Sequence, residues 1–494
     1  MDSKAPRRTA FTNCTIYLGN GEAVGRGCLV FDRDRILEVG PERDFAGPAG
    51  PAPDQALEVF DLRGALVLPG LVDSHIHLVN YAKSLFEVDL ADTPSLEEGL
   101  DAVRCQAGLL AAGGWIWGRG WDKQRWRLAD FPTREMLDGA APAHAVVLTS
   151  RDGHLVWLNS AALREAGLAD RAPAVEGGQI TIDASGRPTG IFKEKAANLV
   201  FDRVGGFRGG QVRDALKTAC ARLRRLGLTG AHTIETPAMG EALDQAVAAG
   251  SISLRLFRMR EVLEPEELDG LQPSEACRCV KTYADGTLGS QTASMLEAFS
   301  GQPGNLGVAF SAEPKLRRII LGAVERGFAV SVHAIGDRAN MTVLDAYEEA
   351  RRSPRGAGAL LRIEHAQVVR GQDFPRFARL GVVASMQPIH LVSDRYVADK
   401  YWGERSANAY AWKRILDAGG RVAFGSDAPI ESPDPLRGLD AAVTRSDPAR
   451  REAGAWYPDG RLEVWRAIDC YTLGAAAAEG AAAEGAAARG AVVD

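Results

Sequence analysis

Eight short apolar segments, spread between residues 64 and 430, constrain the fold of this chain more than any other feature. They read GALVLPGLVDSHIH, GLTGAHTIE, SLRLFRMRE, CRCVKTYADG, FAVSVHAIGD, LLRIEHAQVV, GVVASMQP and RVAFGSDAPI. Helix-like stretches separate most of them. Apolar strands alternating with helices are the pattern of βα units, in which crossover helices cover both faces of a parallel sheet. Eight such strands predict an α/β fold of the (β/α)8, or TIM-barrel, kind over residues 66–475.

Two stretches do not fit a bare barrel. Between the first and second strands lie more than a hundred residues, including GGWIWGRGWDKQRW and AVVLTSRDGHLVWLNS. This predicts an insertion at about 91–215, on the loop after the first barrel strand, on the face where barrel active sites sit. Its Trp115, Trp117, Trp121 and Trp126 suit an aromatic pocket or the insertion's own core, and the core is favoured. Ahead of the barrel, residues 1–65 hold TAFTNCTIYL, GNGE and GCLVFDRDRILEVG. Period-2 alternation with turn residues between runs predicts a small antiparallel sheet. The last stretch, 476–494, is low-complexity Ala/Gly/Glu, in which alanine favours helix and the recurrent glycine weakens it.

Composition excludes several function classes. A formal charge of -6 on 494 residues offers no basic face for nucleic acid. No run approaches the roughly 20 apolar residues that cross a bilayer. The start, MDSKAPRRTAFTN, has no apolar core of a signal peptide, so a cytoplasmic protein is expected. Seven scattered cysteines fit reduced thiols. Cys277 and Cys279 form a CxC in an apparent strand and read as core thiols, because no second cysteine pair accompanies them.

The chemistry gathers at the strand ends. His75 and His77 are spaced i, i+2 and therefore share one face of the first strand. Lys281, His333, His365 and Asp427 end the fourth, fifth, sixth and eighth strands. Each alone has an ordinary explanation as a core histidine, a surface lysine or a turn. Six such residues at one rim predict a metal site, since imidazole nitrogen and carboxylate oxygen suit zinc and similar divalent ions.

PGLVDSHIHL, GLTGAHT, VKTYADG, SVHAIGD, RIEHAQ and FGSDAP, in this order, resemble the amidohydrolase superfamily of metal-dependent hydrolases. RDGHLVWLNSAAL, GRPTGIFKE, KTYADGTLGSQTA and AWKRILDAGGRVAFGSDAP resemble its YtcJ-like branch, which includes N-substituted formamide deformylase. The resemblance covers nearly the whole chain. It implies a metal-bearing barrel with a small β-sandwich built from both chain ends, 1–65 and 476–494. It also implies two divalent ions, zinc first, with Mn, Fe or Ni as the other candidates. His75 and His77 would bind one with Asp427, and His333 and His365 the other. A CO2-derived carbamate on Lys281 would bridge both, because an ammonium cannot ligate a metal and a carbamate is anionic. Asp427 would carry the catalytic proton. By the same resemblance His154, Ser290 and Gln291 are substrate-binding candidates, with a loop-packing role as the alternative. Asp285 and Gln387, just past strand ends, join them as candidate substrate contacts.

Relatives close the sandwich with a C-terminal segment of which Gly485, Gly490 and the final AVVD look like a remnant. An incomplete sandwich leaves an edge able to pair with another chain, so a homodimer is an expected assembly. The expected activity is hydrolysis of a small-molecule amide, such as an N-substituted formamide or N-acyl compound. The alternatives are a mononuclear aminohydrolase of the same superfamily and a non-catalytic relative. Lys281 and the sequence His333-Ala-Ile-Gly-Asp337, which lacks a glutamate, speak against the first, and the full ligand set against the second.

Overall fold

The computed structural model describes residues 8–33, 35–42, 57–151, 155–175, 178–204 and 210–480. Its first elements are strands β1 (Arg8–Gly19), β2 (Glu22–Asp32), β3 (Arg35–Pro41), β4 (Leu57–Asp61) and β5 (Leu66–Val67). Asn20 and Gly21 join β1 to β2, both with positive φ, the backbone a two-residue hairpin needs. Cys14, Ile16, Leu29 and Ile36 form the sheet's small core. The expectation of an antiparallel sheet is corrected here. β4 and β5 pair with β1 in parallel, so the sheet is mixed, in the order β3-β2-β1-β4 with β5 also on β1. Period-2 alternation sets which side chains face inward and says nothing of strand direction.

The barrel begins with β6 (Leu71–Ile76). The chain leaves it after Leu78 and returns at Cys220, so the inserted unit is Val79–Ala219 and not 91–215. That unit holds β7 (Val88–Asp89), β8 (Trp115–Trp121), β9 (Ala145–Ser150), β10 (Leu155–Leu158), β11 (Gly178–Ile182) and β12 (Pro188–Glu194), in the order β11-β12-β10-β9-β8-β7. Trp121, Trp126 and Trp157 pack together in its interior, and each indole donates to a backbone carbonyl, at 3.0 Å from Leu148, Thr93 and Thr133. Trp115 and Trp117 stack at 5.5 Å against a second apolar cluster of the same unit. These tryptophans build the unit's core.

The barrel resumes with β13 (Leu228–Glu235), β14 (Arg255–Glu261), β15 (Cys279–Tyr283), β16 (Ala329–Ala334), β17 (Leu361–His365), β18 (Val382–Met386) and β19 (Arg421–Phe424). All eight strands are those expected, and they pair in sequence order, in parallel. The ring is nearly closed at its seam: Asp427 N donates to His75 O at 2.7 Å and His77 N to Ala428 O at 3.0 Å. Cys277 precedes β15, while Cys279 is buried within it.

Helices wrap the strands for readable reasons. Pro237–Ala248 starts with Thr236 accepting from Met239 N and Pro237 at its first position. Glu313–Glu325 and Asp337–Ala350 bury Ile319, Ile320, Val343 and Tyr347 against β15 to β17. Burying each such side chain contributes on the order of 2 kcal/mol. The boundary expected at 475/476 falls inside a helix, Leu473–Ala478, which packs Ala478 on Val383 and Ala423. Residues 476–478 are thus barrel cover and not sandwich. Alanine's helix propensity outweighs the single Gly474 there. Residues 481–494, with Gly485, Gly490 and AVVD, lie outside the described residues.

Candidate metal centre

The first strand and the loop after the last are tied together before any ligand is placed. Asp73, buried in β6, accepts from Ser426 N (3.0 Å), Ser426 Oγ (2.5 Å) and His75 N (3.1 Å). Gly425 is required by the same approach, since a Cβ there would lie 2.4 Å from His75 N. This knot delivers Asp427 to the two histidines. Asp427 Oδ1 is 3.3 Å from Nε2 of both His75 and His77. His365 (φ 71°) and Asp427 (φ 61°) both sit in the left-handed region. Such backbone costs a non-glycine residue on the order of 1 kcal/mol or more and is tolerated at sites that need a fixed side-chain direction.

The remaining expected ligands converge on the same place. Ring centroids of His75 and His365 are 4.9 Å apart, and those of His333 and His365 4.5 Å. Lys281 is 1% exposed, with Nζ 3.8 Å from the centre of the Tyr283 ring. All six residues line one cavity of about 370 Å³, within the size range of small-molecule sites.

The donor set fits a divalent cation. One ligand atom from each of His75, His77 and Asp427 lies within 4.8 Å of the others. His75 Nδ1 donates to Glu364 Oε2 at 2.6 Å, so its Nε2 lone pair faces Asp427. His333 Nε2 donates to Gly286 O at 3.1 Å, which leaves Nδ1 as its free lone pair. Such outer hydrogen bonds fix the tautomer of metal-binding histidines. Electrostatics agree. Burial works to lower the His75 imidazolium, yet the Asp427 and Glu364 carboxylates outweigh it and raise it to about 9. Burial works to raise Asp427, yet His75, His390 and His77 outweigh it and hold it well below the usual carboxylate range. The pocket therefore favours a positive charge between its carboxylates, and a metal ion supplies one in place of a proton. His333 falls to about 3 through burial and then Lys281, so it stays neutral, as a ligand must.

The expected substrate residues are placed differently. Asp285 is buried, and its carboxylate accepts from Ser294 N (2.8 Å), Ile335 N (3.0 Å) and Gly336 N (2.8 Å). It shapes the loops and does not line the cavity. Gln387 is 2% exposed and donates to Ser385 O. Ser290 turns its hydroxyl to Thr287 and Thr292, and Gln291 pairs with Gln302. Their loop reaches the cavity through Thr287, Leu288 and Gly289 instead. Position just past a strand end does not reveal which way a side chain points. His154 lies outside the described residues.

Three residues were not singled out from sequence. Glu364 and Arg362 are fully buried and paired at 3.0 Å. Their signal was two charges at alternating positions of an apolar strand. His390 lies 3.4 Å from Asp427 Oδ2 and heads the helix His390–Trp402. It follows the seventh strand, which had supplied no ligand candidate.

The comparisons agree with this geometry. The family model described as Amidohydrolase family matches residues 58–492. The putative amidohydrolase YtcJ of Bacillus subtilis (strain 168) is 34% identical over 430 residues, 85% of this chain and 81% of that protein. N-substituted formamide deformylase of Arthrobacter pascens is 29% identical over 476 residues, 90% of this chain and 84% of that protein. The crystal structure of an uncharacterized metal-dependent hydrolase from Pyrococcus horikoshii OT3 superposes with a TM-score of 0.76 at 28% identity, covering 96% of this chain and 93% of that one. Barrel, histidine-aspartate cluster and kinship coincide: the chain belongs to the amidohydrolase family and is one of its hydrolases.

Proposed function

We propose that the protein hydrolyses an amide-type C–N bond of a small molecule, with N-substituted formamides and related N-acyl amines as the substrate class. The observation that carries this is the convergence of His75, His77, Lys281, His333, His365 and Asp427 on one cavity. Similarity to the formamide deformylase supports the formamide class. One divalent cation, with zinc first, would be held by His75, His77 and Asp427, and a second by His333 and His365. When bound, such cations acidify water from about 15.7 toward about 7 and polarise a carbonyl.

The chain's own groups do the rest. Asp427 accepts the proton of the attacking water and returns it to the leaving nitrogen. His390 lies 3.4 Å from the other oxygen of that carboxylate. Burial lowers the Lys281 ammonium to about 8, against the pull of Glu364 and Asp427. Its neutral amine could then add CO2 and lose a proton, and the resulting anionic carbamate would supply oxygen ligands beside both the His75–His77–Asp427 set and the His333–His365 pair.

A mononuclear aminohydrolase is the second reading. It is favoured by the finding that, among the described residues, His75, His77 and Asp427 form the one three-ligand group. Against it, Asp337 near His333 spends its carboxylate on the backbone amides of Leu296 and Arg338. Metal-loaded protein assayed on formamides, N-acyl amino acids and aminopurines separates the two. Release of formate with an amine supports the amidase. Turnover of aminopurines alone supports the deaminase, and fully loaded protein inert on every amide sinks the first reading.

A further inference from the structure

The cavity that Lys281 lines also carries a carboxylate that the chemistry above leaves unused. Asp394 lies one helical turn after His390, on the same face of the helix His390–Trp402, and both line the cavity. Residues four apart on a helix are roughly 6 Å from each other. Asp394 Oδ2 accepts from Gln367 Nε2 at 2.7 Å and from the Tyr410 hydroxyl at 2.5 Å. Both donors are buried, and they are joined to each other because Tyr410 N donates to Gln367 O at 2.8 Å. This carboxylate is therefore held by two neutral donors, and the titratable group that faces it on its own helix is His390, whose imidazolium it helps Asp427 to favour. Asp394 Oδ1 has no partner, and no lysine or arginine pairs with it, among the described residues. Glu431, which accepts from Ser393 at 2.9 Å, adds negative charge nearby.

A half-buried carboxylate at a cavity wall, with one oxygen still open, is a ready acceptor for a ligand cation. We propose that Asp394 makes the cavity selective for substrates bearing a cation, an ammonium or guanidinium a few bonds from the scissile carbonyl, whose N–H it accepts at Oδ1. A divalent centre alone would repel such a group, and Asp394 supplies the counter-charge one turn away. No arginine lines the cavity among the described residues, so a substrate carboxylate placed beside Asp394 meets its repulsion with no guanidinium to offset it. N-acyl amino acids bearing a free carboxylate there are poor substrates on this account. The inference rests on the cavity being the hydrolytic site, as proposed above.

The test uses benzylguanidinium and its neutral isostere benzylurea, bound to metal-loaded protein and followed by calorimetry. A charge-assisted hydrogen bond predicts that the cation binds at least about tenfold more tightly than the urea. Asp394→Asn keeps the shape and removes the charge, and Asp394→Ser removes both, so each should bring that ratio within about threefold of unity. Comparing the two ligands on one protein cancels general damage to the fold. A ratio near one in the wild type, or an unchanged ratio in both variants, overturns the proposal. Formamides carrying the same two tails are assayed in parallel. Failure to hydrolyse either, with the binding ratio intact, overturns the amide-hydrolysis reading and leaves the cation subsite standing.

Discussion

Glu364 Oε2 lies 2.6 Å from His75 Nδ1, with both side chains cut off from solvent. The glutamate is in turn fixed by Ser331 Oγ at 2.5 Å and Arg362 Nε at 3.0 Å. Arg362 continues inward to His232 Nδ1 (2.8 Å), whose Nε2 meets Glu479 at 2.9 Å. A candidate metal ligand is thus wired through the barrel to the residue that follows its last described helix. The desolvation of so many charges is tolerable only because each finds a partner.

Glu364→Gln tests that wire. It keeps the shape but weakens the acceptor for His75 and strips Arg362 of its anion. Divalent-ion affinity should fall about tenfold to a hundredfold, as for other outer partners of metal-bound histidine. The melting temperature should fall as well, because a buried guanidinium loses its counter-charge. Metal titration below the variant's melting point reads the first effect alone. Unchanged affinity would mean that His75 needs no orienting partner.

His232 gives the protein a measurable acid response. Burial lowers this imidazole from 6.5 to about 4, so it is neutral when folded. As pH falls below about 6.5, the unfolded chain binds a proton there that the native state refuses, and stability is lost. Asp73 and Asp285, raised by burial to about 6 and about 7, act in the opposite direction over the same range. The clean observable is therefore a difference. The stability of the wild type minus that of His232→Gln should shrink by about 2 kcal/mol between about pH 7 and pH 5. Denaturant titrations at both pH values measure it, and a constant difference would show His232 titrating normally.

The sequence made the barrel and its ligands legible for one reason. Strands buried on both faces appear as unbroken apolar runs, so the polar residues that end them stand out. His75, His77, Lys281, His333, His365 and Asp427 were visible in this way. Pairing direction leaves no such mark, and β4 and β5 were misjudged. Arg362 and Glu364 hid inside a strand, because each makes sense only beside its buried partners. His390 and Asp394 sit on a helix face, where period-2 strand logic does not reach. Asp285 reads from sequence as a candidate substrate contact, and in the fold its carboxylate accepts from three backbone amides, which strand position alone does not reveal.

Asp427→Asn should separate shape from proton transfer. The amide is nearly isosteric but cannot accept a proton, so kcat should fall at least about a hundredfold. The melting temperature should change little, since the Asp73–Ser426 knot that places this loop is untouched. A loss of only twofold would hand the proton to another group, with His390, 3.4 Å from the other carboxylate oxygen, the first to test.

Lys281 discriminates most sharply among the possible centres. It is fully buried on β15, paired in register with Ser331 of β16 and Glu261 of β14, and it faces the cavity. A bare ammonium there would oppose two divalent ions, and Coulomb repulsion at such distances in a buried site is large. A carbamate reverses the sign and supplies two oxygens. Lys281→Ala should therefore lose metal first from the His333–His365 pair, read as a fall from about two ions per chain toward one. Acetate or propionate, small enough to fill the vacated volume with a carboxylate, should restore part of the metal and part of the turnover. Lys281→Arg should be inactive and beyond rescue, because guanidinium stays charged and forms no carbamate here. Mass spectrometry or diffraction on protein held in bicarbonate reads the modification itself. Two ions bound beside an unmodified Lys281, or a Lys281→Ala variant with full metal and full activity, would remove the bridge and favour the single-metal centre of His75, His77 and Asp427.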